Sequence, residues 1–199
     1  IRLAAKLGYR IKLIAKGALA DGAVEMHVRP ACLSYDHPLA NVGGSLNALV
    51  VDAEPSGQLT FIGRGAGEGP TAASVASDLI DLAEGRAGYA FGKPLTQLAN
   101  APRATPAERG RYYLRLLVKD KPGVVAAISD RLAHEEISIE SFLQMPVHDG
   151  PAVPIVLTTQ TCVRAKMEAA VRAIEALDVI AEAPFVMPVE HAGQRWSRS

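Results

Sequence analysis

Glycine occupies alternate positions, Gly63, Gly65, Gly67 and Gly69, in the string GRGAGEGPTA from Gly63 to Ala72. Such a loop lets backbone pass close to a ligand, and a helix starting behind it offers free N–H groups to a phosphate or a carboxamide. The spacing, however, is GxGxGxG rather than the GxGxxG of a dinucleotide fingerprint, and no Lys-Ser or Lys-Thr follows as in a phosphate-binding P-loop. Nor does a second buried strand ending in a ribose-binding acid follow the helix. By spacing alone the loop reads as a tight turn, with a cofactor-facing loop as the alternative.

The second candidate is the turn Asp120-Lys121-Pro122-Gly123-Val124. Asp, Pro and Gly in that order make a good turn without any ligand. The same turn opens a helix, so its backbone N–H groups could also receive the carboxylate of a small amino acid. The other reactive side chains read more simply. His37 lies between Asp36 and Pro38 in a turn, His27 lies in a strand with no acid that spacing assigns to it, and His134 sits at a helix C-terminus where its charge suits the dipole. Lys6, Lys12 and Lys16 suit solvated or snorkelling positions among apolar neighbours. There is no serine nucleophile elbow, no HExxH and no carboxylate pair that periodicity brings together, so no catalytic residue is assigned. Cys32 and Cys162 stand in no CxxC or metal-ligand spacing and read as buried free thiols, which suits a reducing cytoplasm.

The elements that must position these loops follow from apolar periodicity. An amphipathic helix through Ile1, Leu3, Ala4 and Leu7 ends at Gly8. Its missing N-terminal cap makes the opening read as the middle of a domain and the chain as part of something longer. Strands are expected over Tyr9–Ala20, Ala23–Arg29, Leu46–Ala53 and Gln58–Gly63, bounded by turn formers such as Asp21-Gly22 and Pro55-Ser56-Gly57. A packing helix over Pro70–Glu84, with Val75, Leu79 and Leu82 on one face, completes an α+β layer. Residues 86–109, rich in Gly, Pro and Ala, read as a linker. From 110 to 187 the order is strand (Arg111–Val118), helix (Val124–His134, with Val125, Ile128 and Leu132 on one face), strand (Ile137–Met145), strand (Val153–Thr161), helix (Val163–Leu177) and strand (Val179–Val186). That is the βαββαβ, ferredoxin-like pattern in which two helices cover one face of an antiparallel sheet. The stretch 188–199 lacks periodicity and reads as a flexible tail.

Composition excludes several classes. With 49% hydrophobic and 21% charged residues the chain is ordinary globular protein. Lys plus Arg and Asp plus Glu are both 21, so no net field recruits nucleic acid or an anionic membrane. No apolar run approaches the ~20 residues of a membrane span.

Several strings in order resemble the homoserine dehydrogenase family: LGYRIKLIA (Leu7–Ala15), VRPACLSYDHPLANVGGSLNALVV (Val28–Val51) and FIGRGAGEGPTAASVASDLIDLA (Phe61–Ala83). YYLRLLVKDKPGVVAAISDRLAHEEISIESFLQ (Tyr112–Gln144) is similar to the ACT domain that many bacterial members append. The resemblance implies an α+β chain in which the mixed-sheet part of the catalytic domain (residues 1–85) precedes a βαββαβ ACT regulatory domain. It implies NAD(P)-dependent interconversion of L-aspartate 4-semialdehyde and L-homoserine, on the route to threonine and methionine. The family's nucleotide-binding domain, and the lysine and carboxylates that bind homoserine, precede the matched strings, so the chain alone is expected to be inactive.

The resemblance reverses the tight-turn reading of the glycine loop, which in the family touches the nicotinamide end of the cofactor. It makes Gly67, with Gly65 and Thr71 beside it, the expected cofactor contacts. ACT domains pair side by side and bind an amino acid at the shared edge, so a homodimer or higher homo-oligomer and an amino-acid effector are expected. Threonine is the natural effector, with Asp120, Gly123, Val124 and Ile139 as its contacts. The competing reading is a stand-alone amino-acid-sensing ACT protein, which would have no use for a cofactor-facing loop.

Overall fold

The computed structural model describes residues 1–20, 22–86, 88–89, 91–104, 109–145 and 152–190. Helix α1 (Arg2–Lys6) runs to Gly8, whose φ of +83° turns the chain into a long hairpin of β1 (Tyr9–Ala20) and β2 (Ala23–Ser34). The two pair antiparallel over their whole length, from Tyr9 with Ser34 to Ala20 with Ala23. Strand β2 thus continues past Arg29, where it was expected to end. A second hairpin joins β3 (Leu46–Ala53) to β4 (Gly57–Arg64), and helix α2 (Glu68–Ala83) follows. After a short 3₁₀ turn at Leu95–Gln97 come β5 (Arg109–Lys119), α3 (Val124–His134), β6 (Ile139–Gln144), β7 (Ala152–Thr159), the two-residue β8 (Cys162–Val163), α4 (Arg164–Glu175) and β9 (Ile180–Glu190).

The order of the last strands, β9-β5-β7-β6, is that of the ferredoxin-like fold. The sheet does not end there. Strand β2 pairs parallel with β9, Cys32 opposite Val189 and Leu33 opposite Glu190, giving a mixed sheet of order β1-β2-β9-β5-β7-β6, with β8 pairing β5.

Side-chain alternation explains why β5 and β7 are almost continuously apolar. Leu114, Leu116 and Val118 of β5 and Ile155 and Leu157 of β7 face α3 and α4, meeting Ile128, Leu132, Met167 and Ile174 in the main core. Tyr113 and Val156 point to the other face, where they join Ala4 of α1, Tyr9, Cys32, Met187 and Val189. A strand buried on both faces needs apolar residues at successive positions. On α3 the buried face is Val124, Ile128 and Leu132; Val125, expected in that face, is 39% exposed. The i, i+4, i+8 spacing keeps Val124 in register with the other two.

Packing divides the chain differently from sequence order. One compact unit holds residues 1–40 together with 103–199, and the other holds 41–102. The hairpin expected to end within the 1–85 region therefore belongs with the 110–187 sheet, because β2 adds to the edge that β9 would otherwise expose. The expected tail from Pro188 is likewise strand as far as Glu190, and Val189 is buried against Tyr113 and Cys32. Residues 191–199 lie outside the described residues, as does the interruption expected at Pro146–Gly150. In the second unit α2 spans the expected residues but buries none, leaving Val75, Leu79 and Leu82 exposed instead of packed. An apolar stripe specifies a face to be covered, not what covers it.

Candidate functional site

The glycine loop connects β4 to α2 in the unit of residues 41–102. Its first glycine-dependent point is Gly65, whose N–H donates to the Ser45 carbonyl at 3.2 Å. A Cβ at Gly65 would stand 2.7 Å from Asn47 Cγ, nearer than real Cβ contacts allow, so the Asn47 side chain fills the space that glycine leaves. Arg64 Nη1 donates to Ser45 Oγ at 3.2 Å and ties the end of β4 back to the start of β3. The second point is Gly67. With φ +128° it occupies backbone space that L side chains rarely enter, and its carbonyl accepts the Thr71 N–H at 3.1 Å to start α2. No side chain caps the helix, and Pro70 carries no N–H, so the amides of Glu68 and Gly69 point out unclaimed by a cap. The structure therefore brings Gly65, Gly67 and Thr71 into one exposed turn. Gly67 carries the positive-φ backbone of the turn, while Gly65 is needed for close packing on Asn47.

The second site is a cavity of about 260 Å³ at the turn between β5 and α3. Gly123 adopts φ +87°, a left-handed conformation, as the N-cap of α3; its carbonyl accepts the Ala127 N–H at 2.9 Å, and no side chain caps the helix. The first-turn amides of Val124, Val125 and Ala126 thus have no partner within the helix and border the cavity. Asp120 and Lys121 form its rim, and Gln144 of β6 with Val153 and Ile155 of β7 form its opposite wall. Lys119 Nζ is turned to the Asp178 carbonyl at 2.5 Å. Of the expected effector contacts, Asp120, Gly123 and Val124 line this cavity. Ile139 does not; it packs against the main core. Gln144, Val153 and Ile155 were not expected. The split βαβ order, which seats β7 beside β5, is the signal that could have found the last two.

The other titratable groups fall into structural roles. His37 Nδ1 accepts the Leu39 N–H at 3.1 Å within its own turn. His134 Nδ1 lies 3.0 Å from the Asp130 carbonyl in the last turn of α3. His27 does have an acid: Glu25 Oε1 is 3.4 Å from its Nδ1, two residues back on the same face of β2. Burial, reinforced by Arg29, holds this imidazole below its ordinary range. Lys16 Nζ pairs with Glu190 at 3.3 Å, and Lys6 Nζ approaches Met145 Sδ at 3.3 Å. Both cysteines are free and buried, and burial pushes the Cys32 thiol up to about 12. Among the described residues no group of three or more His, Cys, Asp or Glu side chains gathers for a metal, and no helix is long and apolar enough to cross a membrane.

The ferredoxin-like βαββαβ module, with a cavity at its first strand–helix turn, is of the ACT class: residues 112–179 match the ACT domain model. Residues 1–80 match the model described as homoserine dehydrogenase. The homoserine dehydrogenase of Neisseria gonorrhoeae is 37% identical over 94% of this chain, and that of Synechocystis is 34% identical over 95%. The crystal structure of a homoserine dehydrogenase from Thiobacillus denitrificans superposes with a TM-score of 0.78 at 35% identity, over 96% of this chain. The chain belongs to the homoserine dehydrogenase family. It spans 44% of the Neisseria protein, 46% of the Synechocystis protein and 44% of the Thiobacillus chain.

Proposed function

We propose that this chain is the regulatory and cofactor-facing part of a homoserine dehydrogenase, which interconverts L-aspartate 4-semialdehyde and L-homoserine with NAD(P) in the cytoplasm, on the route to threonine and methionine. The observation that carries the reading is the cavity at the Asp120–Val124 turn, in a module continuous in one chain with the family's glycine loop. NAD(P), when bound, carries the hydride. Gly67 and the outward amides of Glu68 and Gly69 receive a polar edge of that cofactor, and the Thr71 hydroxyl offers a further donor one turn into α2. Gly65 holds the loop down on Asn47. No catalytic residue is assigned to the chain, and alone it does not oxidise homoserine.

The cavity takes an amino-acid effector, threonine. The first-turn amides of α3 and the positive end of its dipole hold the carboxylate, and Asp120 holds the ammonium. Val153 and Ile155 face the side-chain methyl, and Gln144 bonds the hydroxyl. Two chains pair through their ACT modules as a homodimer, so that binding at this edge shifts the enzyme between states by its differential affinity. Calorimetric titration with L-threonine tests this directly. Saturable binding that weakens roughly tenfold or more in Asp120→Asn is expected, since a charge-assisted contact is lost. Heat absent at millimolar threonine, or unchanged in the variant, refutes the effector site. Turnover of homoserine with NAD(P) by the chain alone refutes its inactivity.

A further inference from the structure

On the helical side of the sheet, away from the Asp120 turn, lies a second and larger groove of about 560 Å³, walled by β2, β5, α4 and β9. That volume falls within the roughly 300–1,000 Å³ typical of ligand pockets. Its floor is apolar, built from Met167 and Val171 of α4 with Val186 of β9, and Phe185 and Met187 border it along the strand. Its polar groups are lopsided: Arg29, Arg164 and Arg172 face a single carboxylate, Glu168.

The state of those groups carries the inference. Arg164 Nε donates to Glu168 Oε1 at 2.9 Å, so the one acid is already engaged. Arg29 approaches Glu190 only at 4.0 Å through Nη2, while its Nε is buried without a hydrogen-bond partner. The Arg29 side chain is 37% exposed, so its terminal nitrogens, rather than the covered Nε, can meet an anion in the groove. Arg172 has no ion-pair partner among the described residues, and no hydrogen bond of the Tyr112 hydroxyl is found there. Two arginines without a close carboxylate beside an apolar floor suit an anion attached to a flat apolar body, because guanidinium pairs with carboxylate and phosphate in a planar fork.

We propose that this groove binds a small organic anion, a carboxylate or phosphate monoester on an aromatic or similarly flat body. The anionic head meets Arg29 and Arg172, and the body lies on Val171 and Val186. Such a ligand is larger than the amino acid proposed for the 260 Å³ cavity, and the two sites share no lining residue. This site stands whether or not threonine binds at the other one.

The test titrates the 199-residue chain with 2-naphthoate and with 2-naphthyl phosphate, followed by two-dimensional NMR, with the neutral 2-naphthalenemethanol as control. One saturable site is expected for an anionic probe, with shifts centred on α4 and β9 and affinity about tenfold above that of the neutral probe. The tighter of the two anions identifies the head group. Arg172→Gln, at an exposed position where the fold does not depend on the charge, should weaken binding about tenfold. Arg29→Gln should do at least as much, and Val171→Trp should block the floor. The proposal is overturned if the anions bind no tighter than the alcohol, if Arg172→Gln changes nothing, or if binding survives Val171→Trp.

Discussion

Replacing Gly123 tests whether the α3 cap that shapes the effector cavity depends on a left-handed backbone. At φ +87° an L side chain costs roughly 1–2 kcal/mol relative to glycine. A Cβ there meets nothing within 4 Å, so no steric collision adds to that figure. The whole effect of Gly123→Ala is therefore backbone strain, and the rank order among substitutions follows from φ alone. Asparagine tolerates the left-handed region and should lose least, alanine should lose about 1–2 kcal/mol, and the β-branched valine should lose most. For a chain of this length each kcal/mol lowers the thermal midpoint by about 2–4 °C. Urea unfolding followed by circular dichroism, with unchanged m-values, measures the series. Equal stability of the glycine, asparagine and alanine proteins would refute the reasoning, and so would a valine variant no worse than alanine.

Two further outcomes follow from burial. Leu132 is fully buried between α3 and the sheet, so Leu132→Ala should cost about 2–5 kcal/mol in guanidinium unfolding; a loss under 1 kcal/mol would mean this core is loosely packed. Cys32 and Tyr113 are both pushed up to about 12 by burial, from ordinary values of 9.0 and 10.0. Both groups are neutral when protonated, so the unfolded chain ionises first as pH rises. Their contribution is whole below pH 9 and is lost progressively up to about pH 12. The urea midpoint should therefore fall between pH 8 and pH 10, and less so in Cys32→Ala than in the unsubstituted chain. Identical slopes in the two proteins would refute that assignment for Cys32.

Much of the architecture was legible because local signals agreed with one another. The βαββαβ order was readable from the short apolar runs of β5 and β7, from the i, i+4 spacing of Ile128 and Leu132, and from the Pro122-Gly123 turn. Both glycine-dependent turns could be located for the same reason: a short run of special residues between two periodic segments has few other uses. Where the reading failed, the missing information was nonlocal. Val124 rather than Val125 enters the core because the sheet lies on that side of α3. Glu25 and His27 share a face of β2, and two-residue alternation alone could have paired them. Ile139 was expected beside the effector turn from the family resemblance, as a residue of the facing strand, whereas Gln144 at the far end of β6 is the residue of that strand that lines the cavity.

The sequence by itself determined the elements, the two turns that carry the candidate sites and the family, since each rests on residues close together in the chain. Only the tertiary structure decided how those elements are shared out. The parallel pairing of Cys32 with Val189 binds the first hairpin to the last strand across more than three-quarters of the chain, and no periodicity records a partner that distant. The same pairing brings Arg29 beside the groove of α4 and β9, and turns the expected loose tail at Pro188 into buried strand. Backbone hydrogen bonds at a sheet edge are alike for every sequence, so which edge a strand joins depends on the side chains that both faces must bury.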